Sequence, residues 1–271
     1  MKRQVITKSG MGCLALAFVI GLPGCLARSA EAGKSGAAEL KYEEPKHLTG
    51  SIFAPEAGQE RLVFKFKREA TRSGSTVDVL RDYSYPDGAL AAREHVVYEG
   101  DRLVFFELEE RQIDAAGSAT VVLDPANPAK GKIEFRYGKT APGAGKPKPT
   151  VEPWREDTLI ADMVGPFLAA HWAALMRGDK VKCRYIVVPR RETVGFQFVK
   201  KSQANWQRRE VIIVKMEASS LVIAALVNPL VFTIEKAPPH RVLQYVGRTT
   251  PKLQAGKQWK DLDAVNVFDW R

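Results

Sequence analysis

Apolar residues recur at every second position through most of this chain, and this alternation constrains the fold more than any other feature. In Arg61–Lys67, Leu62, Phe64 and Phe66 share one face; in the next segment Val77, Val79, Arg81 and Tyr83 do. Side chains of a strand alternate between its faces, so such segments read as strands with one side turned to a core. Further strands follow at Leu90–Tyr98, at Leu103–Gln112 with Val104, Phe106 and Leu108 on one face, at Val121–Leu123 and at Ile133–Tyr137. Turn residues separate them: Ser73-Gly74-Ser75, Pro86-Asp87-Gly88 and Glu99-Gly100-Asp101. Short, evenly spaced strands with tight turns describe an antiparallel meander.

The pattern breaks twice. Residues 138–153 are rich in Pro and Gly and read as a loop. Glu156–Arg177 then carries Leu159, Ile160, Met163, Val164, Phe167, Leu168, His171, Trp172 and Leu175 at helical spacing, which predicts one amphipathic helix. Gly165-Pro166 is expected to kink it and Gly178 to end it. Strands resume at Val181–Val188, Thr193–Lys200, Arg209–Met216, Leu230–Glu235, Arg241–Arg248 and Leu262–Trp270, with a short helix expected within Ser219–Val227. The segment Leu221–Val227 is apolar almost all round, which suits a plug for an open sheet end or a membrane contact.

About ten strands and one helix point to a mainly β (α+β) fold, a curved antiparallel sheet or half-barrel wrapped around the amphipathic helix. One helix cannot cover so large a sheet, so the concave face is expected to keep an apolar cavity. Phe106, Phe167 and Trp172 are its candidate ligand contacts.

The first 32 residues carry a different message. Lys2, Arg3 and Lys8 precede the apolar run Met11–Leu22, which is too short for a bilayer span of roughly 20 residues. This is the pattern of an export signal. Ala30-Glu31-Ala32 fits ordinary cleavage, giving a signal over 1–32. Leu22-Pro23-Gly24-Cys25 resembles the lipobox of bacterial lipoproteins, which would end the signal at residue 24 and lipidate Cys25; Pro23 departs from the usual pattern. Residues 33–59 read as a flexible tether and 60–271 as a single domain. The expected location is outside the cytoplasm, in the periplasm, with outer-membrane anchoring if Cys25 is lipidated.

Export removes whole classes of function. The net charge of the 271 residues is +10, and nine basic residues against one acid stand between Lys180 and Arg209. Lys182, Arg184, Arg190, Arg191, Lys200, Lys201, Arg208 and Arg209 form a candidate anion-binding patch. Nucleic acid is not an expected partner outside the cytoplasm; an anionic membrane surface or an envelope glycan is. A solvated strand face is the alternative. Cys183 is the only cysteine beyond the signal, so no internal disulfide is available, and a small buried residue is the simpler role. His47, His95, His171 and His240 are too scattered for a metal motif, and no nucleophile elbow or phosphate loop occurs. Glu107 and Glu109 share a strand face, which reads as a solvated one. No catalytic residue, metal or cofactor is expected.

Asp87-Gly88, Glu94, Tyr98, Gly100-Asp101, Leu103 and Gln112, together with His171-Trp172, Val188-Pro189 and Thr193-Val194-Gly195-Phe196, resemble a poorly characterised group of bacterial exported proteins. Their half-barrel is similar to that of the LolA and LolB lipoprotein carriers. The resemblance covers about residues 60–270. It implies a half-barrel of about eleven strands with an apolar interior that binds acyl chains, and no enzyme. The expected function is therefore a non-enzymatic envelope protein that takes a lipid or another apolar molecule. The alternatives are an envelope interaction module with a filled core and an enzyme with Cys183 beside His171.

Overall fold

A computed structural model describes residues 42–56, 59–224 and 228–270. The export signal, Cys25 and most of the expected tether lie outside them.

Fifteen strands form one continuous, curved sheet that does not close on itself. In chain order they are β1 (His47–Glu56), β2 (Gln59–Ser73), β3 (Thr76–Ser84), β4 (Leu90–Glu99), β5 (Arg102–Glu110), β6 (Ala115–Asp124), β7 (Asn127–Lys139), β8 (Thr150–Pro153), β9 (Thr158–Leu159), β10 (Val181–Val187), β11 (Glu192–Trp206), β12 (Arg209–Ala218), β13 (Leu230–Glu235), β14 (Val242–Ala255) and β15 (Gln258–Asp269). Their spatial order is β8-β7-β6-β5-β4-β3-β2-β1-β15-β14-β13-β12-β11-β10-β9. Sequence neighbours are mostly spatial neighbours, as expected of a meander. The exceptions are the pairing of β1 with β15, the first and last described strands, and the long connection from β8 through β9 to β10. Among the described residues only β9 pairs in parallel, with β10.

Two expectations about the elements are corrected. His47–Glu56 is not tether but strand β1, paired on both sides. Within the expected 138–153 loop, β7 continues to Lys139 and Thr150–Pro153 forms edge strand β8.

The single long helix is also corrected. Thr158–Leu159 is strand β9, Ala161–Met163 is one turn of 3₁₀ helix, and only α1 (Val164–Ala170) and α2 (Trp172–Arg177) are α-helical. Pro166 sits in the first turn of α1, where a missing amide leaves no bond unmade. The break comes at His171 instead, whose Nδ1 lies 2.9 Å from the Phe167 carbonyl oxygen. Gly178 ends α2 at φ +89°, a conformation that suits glycine. A third short helix, α3 (Leu221–Ala224), falls where expected.

The sheet curls far enough for strands five places apart to touch. Thr250 on β14 donates to Glu94 Oε1 on β4 at 2.6 Å. Gln112, just past β5, donates to the Lys252 carbonyl oxygen at 2.9 Å and accepts from the Lys252 amide at 2.7 Å. Its side-chain amide thus stands in for a strand neighbour and closes the curl at this end. At the other end, edge strand β8 is held to β11 by side chains. Glu152 on β8 accepts from the Thr193 amide at 2.9 Å and hydroxyl at 2.7 Å.

Two apolar clusters fill the interior. The smaller, around Ile52, Phe64, Phe66, Tyr83 and Leu262, lies within the curl of β1–β4 and β15. The larger packs α1 and α2 against the remaining strands through Phe167, Leu168, Leu175, Phe198 and Ile212. Among the described residues no helix is long and apolar enough to cross a membrane.

Candidate functional site

Between the walls of the curved sheet lies a cavity of about 1340 Å³. Typical ligand sites span roughly 300–1,000 Å³, so this one has room for more than a drug-sized molecule. Filled with liquid it would hold on the order of forty waters at about 30 Å³ each.

Apolar side chains make most of its walls. Phe196, Met216 and Phe232 come from β11–β13, and Phe106 and Leu108 from β5. These project inward because strand parity places them on the concave face. The helix contributes Val164, Gly165, Pro166, Ala169 and Ala170. That stripe of small residues explains the empty space, because a helix with bulky side chains there would fill it.

The three candidate ligand contacts separate on this geometry. Phe106 lines the cavity. Phe167 turns into the packed core, with ring centroids 4.2 Å from His171 and 5.7 Å from Phe198. Trp172 stacks on His240 at 3.8 Å. Neither Phe167 nor Trp172 is among the lining residues; the small face of α1 takes that place.

A buried charged row interrupts the apolar lining. Along β2 the inward residues run Phe64, Phe66, Arg68, Ala70; along β3, Val77, Val79, Arg81, Tyr83; along β4, Ala92, Glu94, Val96, Tyr98. Arg68 is the cross-strand partner of Arg81, and Arg81 of Glu94. The three side chains therefore form one layer across three strands, between the smaller apolar cluster and the larger. Two arginines opposite one another repel. Asp162, from the 3₁₀ turn ahead of α1, compensates. Its carboxylate accepts from Arg68 Nε at 2.7 Å and Nη2 at 3.0 Å and from the Tyr98 hydroxyl at 2.9 Å, and lies 3.8 Å from Arg81 Nε. Arg68 also donates to the carbonyls of Pro45 and Tyr42. Burial pushes the Asp162 carboxyl up, but the charge and hydrogen bonds of Arg68, the Arg81 charge and the Tyr98 hydroxyl together outweigh it and hold the carboxyl below the usual range. Burial raises the phenols of Tyr83 and Tyr98, so they stay neutral donors.

Arg81 is less well served. Its Nη1 stands 3.0 Å from Glu94 Oε2, yet Nε, Nη1 and that carboxylate oxygen are all sealed from solvent without a hydrogen bond. Charge proximity, rather than aligned hydrogen bonds, holds this pair. The Glu94 oxygen that is well bonded is Oε1, which takes the Thr250 hydroxyl. Further along, Lys252 pairs with Glu110 at 3.3 Å and Asp261 at 2.8 Å.

The basic window is spread over several strands, and among the described residues three of its eight members have counter-ions. Arg190 pairs with Glu192, Lys201 with Glu217 and Arg209 with Glu235. Arg184 donates to the hydroxyl and carbonyl of Thr193. Lys182, Arg191 and Arg208 are exposed and make no ion pair among the described residues; Lys200 is half-buried.

Cys183 is buried, and burial pushes its thiol up to about 12, which is the reverse of an activated nucleophile. His95 Nε2 lies 2.8 Å from Asp78 Oδ2, and Glu109 accepts from Arg111 at 2.9 Å. Among the described residues no group of three or more His, Cys, Asp or Glu could hold a metal ion.

No family model and no curated protein matches the chain. Among solved structures it is similar to a β-barrel-like protein of a domain of unknown function (DUF1849) from Brucella abortus, with 8% identity and a TM-score of 0.39 over 82% of this chain and 94% of that one. It is also similar to a putative outer membrane lipoprotein-sorting protein domain from Vibrio parahaemolyticus, with 8% identity and a TM-score of 0.23 over 82% and 81%. Neither likeness bears on ligand or residue roles. The architecture itself, an open and curved sheet around a short helical segment, is the expected half-barrel, with fifteen described strands in place of about ten.

Proposed function

We propose that this is a non-enzymatic exported protein of the cell envelope that binds a lipid or another apolar molecule inside the half-barrel. The single observation that carries this is the cavity of about 1340 Å³ beside the small-residue face of α1. Leaving such apolar surface to water forgoes roughly 25 cal/mol per Å², so an apolar ligand gains by displacing that water. The export pattern of residues 1–32 supports a location outside the cytoplasm, at a lipid-rich envelope. Lipidation of Cys25 would hold it at the membrane. The exposed Lys182, Arg191 and Arg208 support a secondary contact with anionic head groups.

Titration with an apolar fluorophore such as N-phenylnaphthylamine tests the ligand reading. Saturable binding should be weakened by Ala169→Phe, which narrows the cavity from α1. Binding that is absent, or unaltered by that variant while the protein stays folded, would overturn it.

A further inference from the structure

The inward row of Arg68, Arg81 and Glu94, with Asp162, is expensive. Burying ionic groups costs several kcal/mol each unless hydrogen bonds and counter-charges compensate. Arg68 and Asp162 are fully compensated and Glu94 half so, its Oε2 being sealed without a hydrogen bond. Arg68 and Asp162 satisfy each other and the carbonyls of Pro45 and Tyr42. Glu94 holds the Thr250 hydroxyl through Oε1. Arg81 carries five donor hydrogens and makes no hydrogen bond among the described residues: Nε and Nη1 are sealed without a partner, whereas Nη2 is not among the sealed atoms. The residue lines the cavity, and its guanidinium carbon stands over the Phe66 ring, 5.1 Å from the centroid.

Resting on the lipid-cavity reading above, we infer that Arg81 is the anchor for the carbonyl oxygen of an uncharged acyl ligand, an ester or amide, whose chain lies along the apolar walls. Charge decides between this and a free fatty acid. The row holds two guanidiniums and two carboxylates, so it is already neutral. A ligand carboxylate at Arg81 would add a buried negative charge beside Glu94 and Asp162, which disfavours it. A carbonyl accepts the N–H and brings no charge. The position fits as well, since the row sits between the small cluster and the wide end lined by Phe196, Met216 and Phe232. A head held at Arg81 leaves the apolar volume to the chain.

The test is displacement of N-phenylnaphthylamine by three chain-matched probes, octadecene, methyl oleate and oleate, at a pH where oleate is ionised. The comparison protein is Arg81→Met/Glu94→Gln, which removes both charges together and so leaves neither buried alone; Arg81→Met is measured beside it where it folds. Wild type should bind methyl oleate about tenfold tighter than octadecene or oleate, the size expected of one hydrogen bond from a charged donor. The double variant should bind methyl oleate no tighter than octadecene, with octadecene affinity kept within about twofold. Oleate binding as tightly as methyl oleate, or an ester preference that survives in the double variant, would overturn the assignment while leaving the apolar cavity intact. If no probe displaces the fluorophore, the lipid reading falls and this inference with it.

Discussion

Asp162→Asn is the perturbation that most sharply probes the buried row. Asp162 is the carboxylate that lets Arg68 and Arg81 stand opposite one another, and its side chain and that of Arg68 are only 2% and 5% exposed. Asparagine keeps one carbonyl oxygen, enough for the Tyr98 hydroxyl, but loses the charge and the bidentate acceptor for Arg68. Removing one partner of a buried pair costs about 3–5 kcal/mol because the other charge is left uncompensated. Against a total of roughly 5–15 kcal/mol for a domain, that is a large share. With a urea slope of about 3 kcal/mol per M, the midpoint should fall by roughly 1–1.7 M. The pH dependence gives an independent check. The folded-state Asp162 lies below its ordinary value of 3.8, so its contribution is complete above that value and disappears as pH falls through the lower folded value. The gap between wild type and Asp162→Asn should thus be widest near neutral pH and narrow in acid below 3.8. Pairing the change with Arg68→Met should recover much of the loss, because the orphaned charge goes too. A loss under about 1 kcal/mol, or a gap that does not change with acid, would refute this account of the row.

Gly117→Ala should be strongly destabilising, because a Cβ there would meet the Arg136 carbonyl oxygen at 2.2 Å and Tyr137 Cα at 2.8 Å across the β6–β7 pair; thermal unfolding should show a fall of several degrees. Glu152→Ala removes the acceptor of both Thr193 donors at the seam, so amide exchange in β8 should accelerate while that in β3 and β4 stays unchanged. Replacing Arg190, Arg191, Lys200 and Lys201 with Gln should weaken binding to phosphatidylglycerol vesicles and flatten its salt dependence; unaltered binding in a sedimentation assay would make this face merely solvated.

Much of the sheet is legible in the sequence because one face of each strand is buried. Alternation at Leu62, Phe64 and Phe66 and at Val77, Val79 and Tyr83 identifies β2 and β3 directly. Strands β1 and β8 are hidden by composition: Gly50, Pro55, Pro149 and Pro153 read as loop, yet pairing with already formed neighbours overrides that local preference. The helix was overextended because Leu159 and Ile160, buried from β9 and its end, happen to continue a helical spacing set by α1. Periodicity finds Phe106 but not the rest of the cavity wall. It marks the large residues Phe167 and Trp172, whereas the space exists where α1 carries Gly165, Ala169 and Ala170. The charged row left a trace, since alternation puts Arg81 on the inward face with Val77 and Val79. What the sequence lacks is register, without which Arg68, Arg81 and Glu94 are three unrelated charges rather than one layer. Register is also what the basic window lacks, because Glu217 and Glu235, the counter-ions of Lys201 and Arg209, arrive from β12 and β13.

The central claim is that the half-barrel exists to hold an apolar molecule. Organic extraction and mass spectrometry of the protein purified from the envelope without detergent test it most directly. The account predicts an acyl lipid at close to one molecule per chain, depleted in Ala169→Phe purified alongside. A folded wild-type protein that yields no lipid above the level of that variant would contradict it.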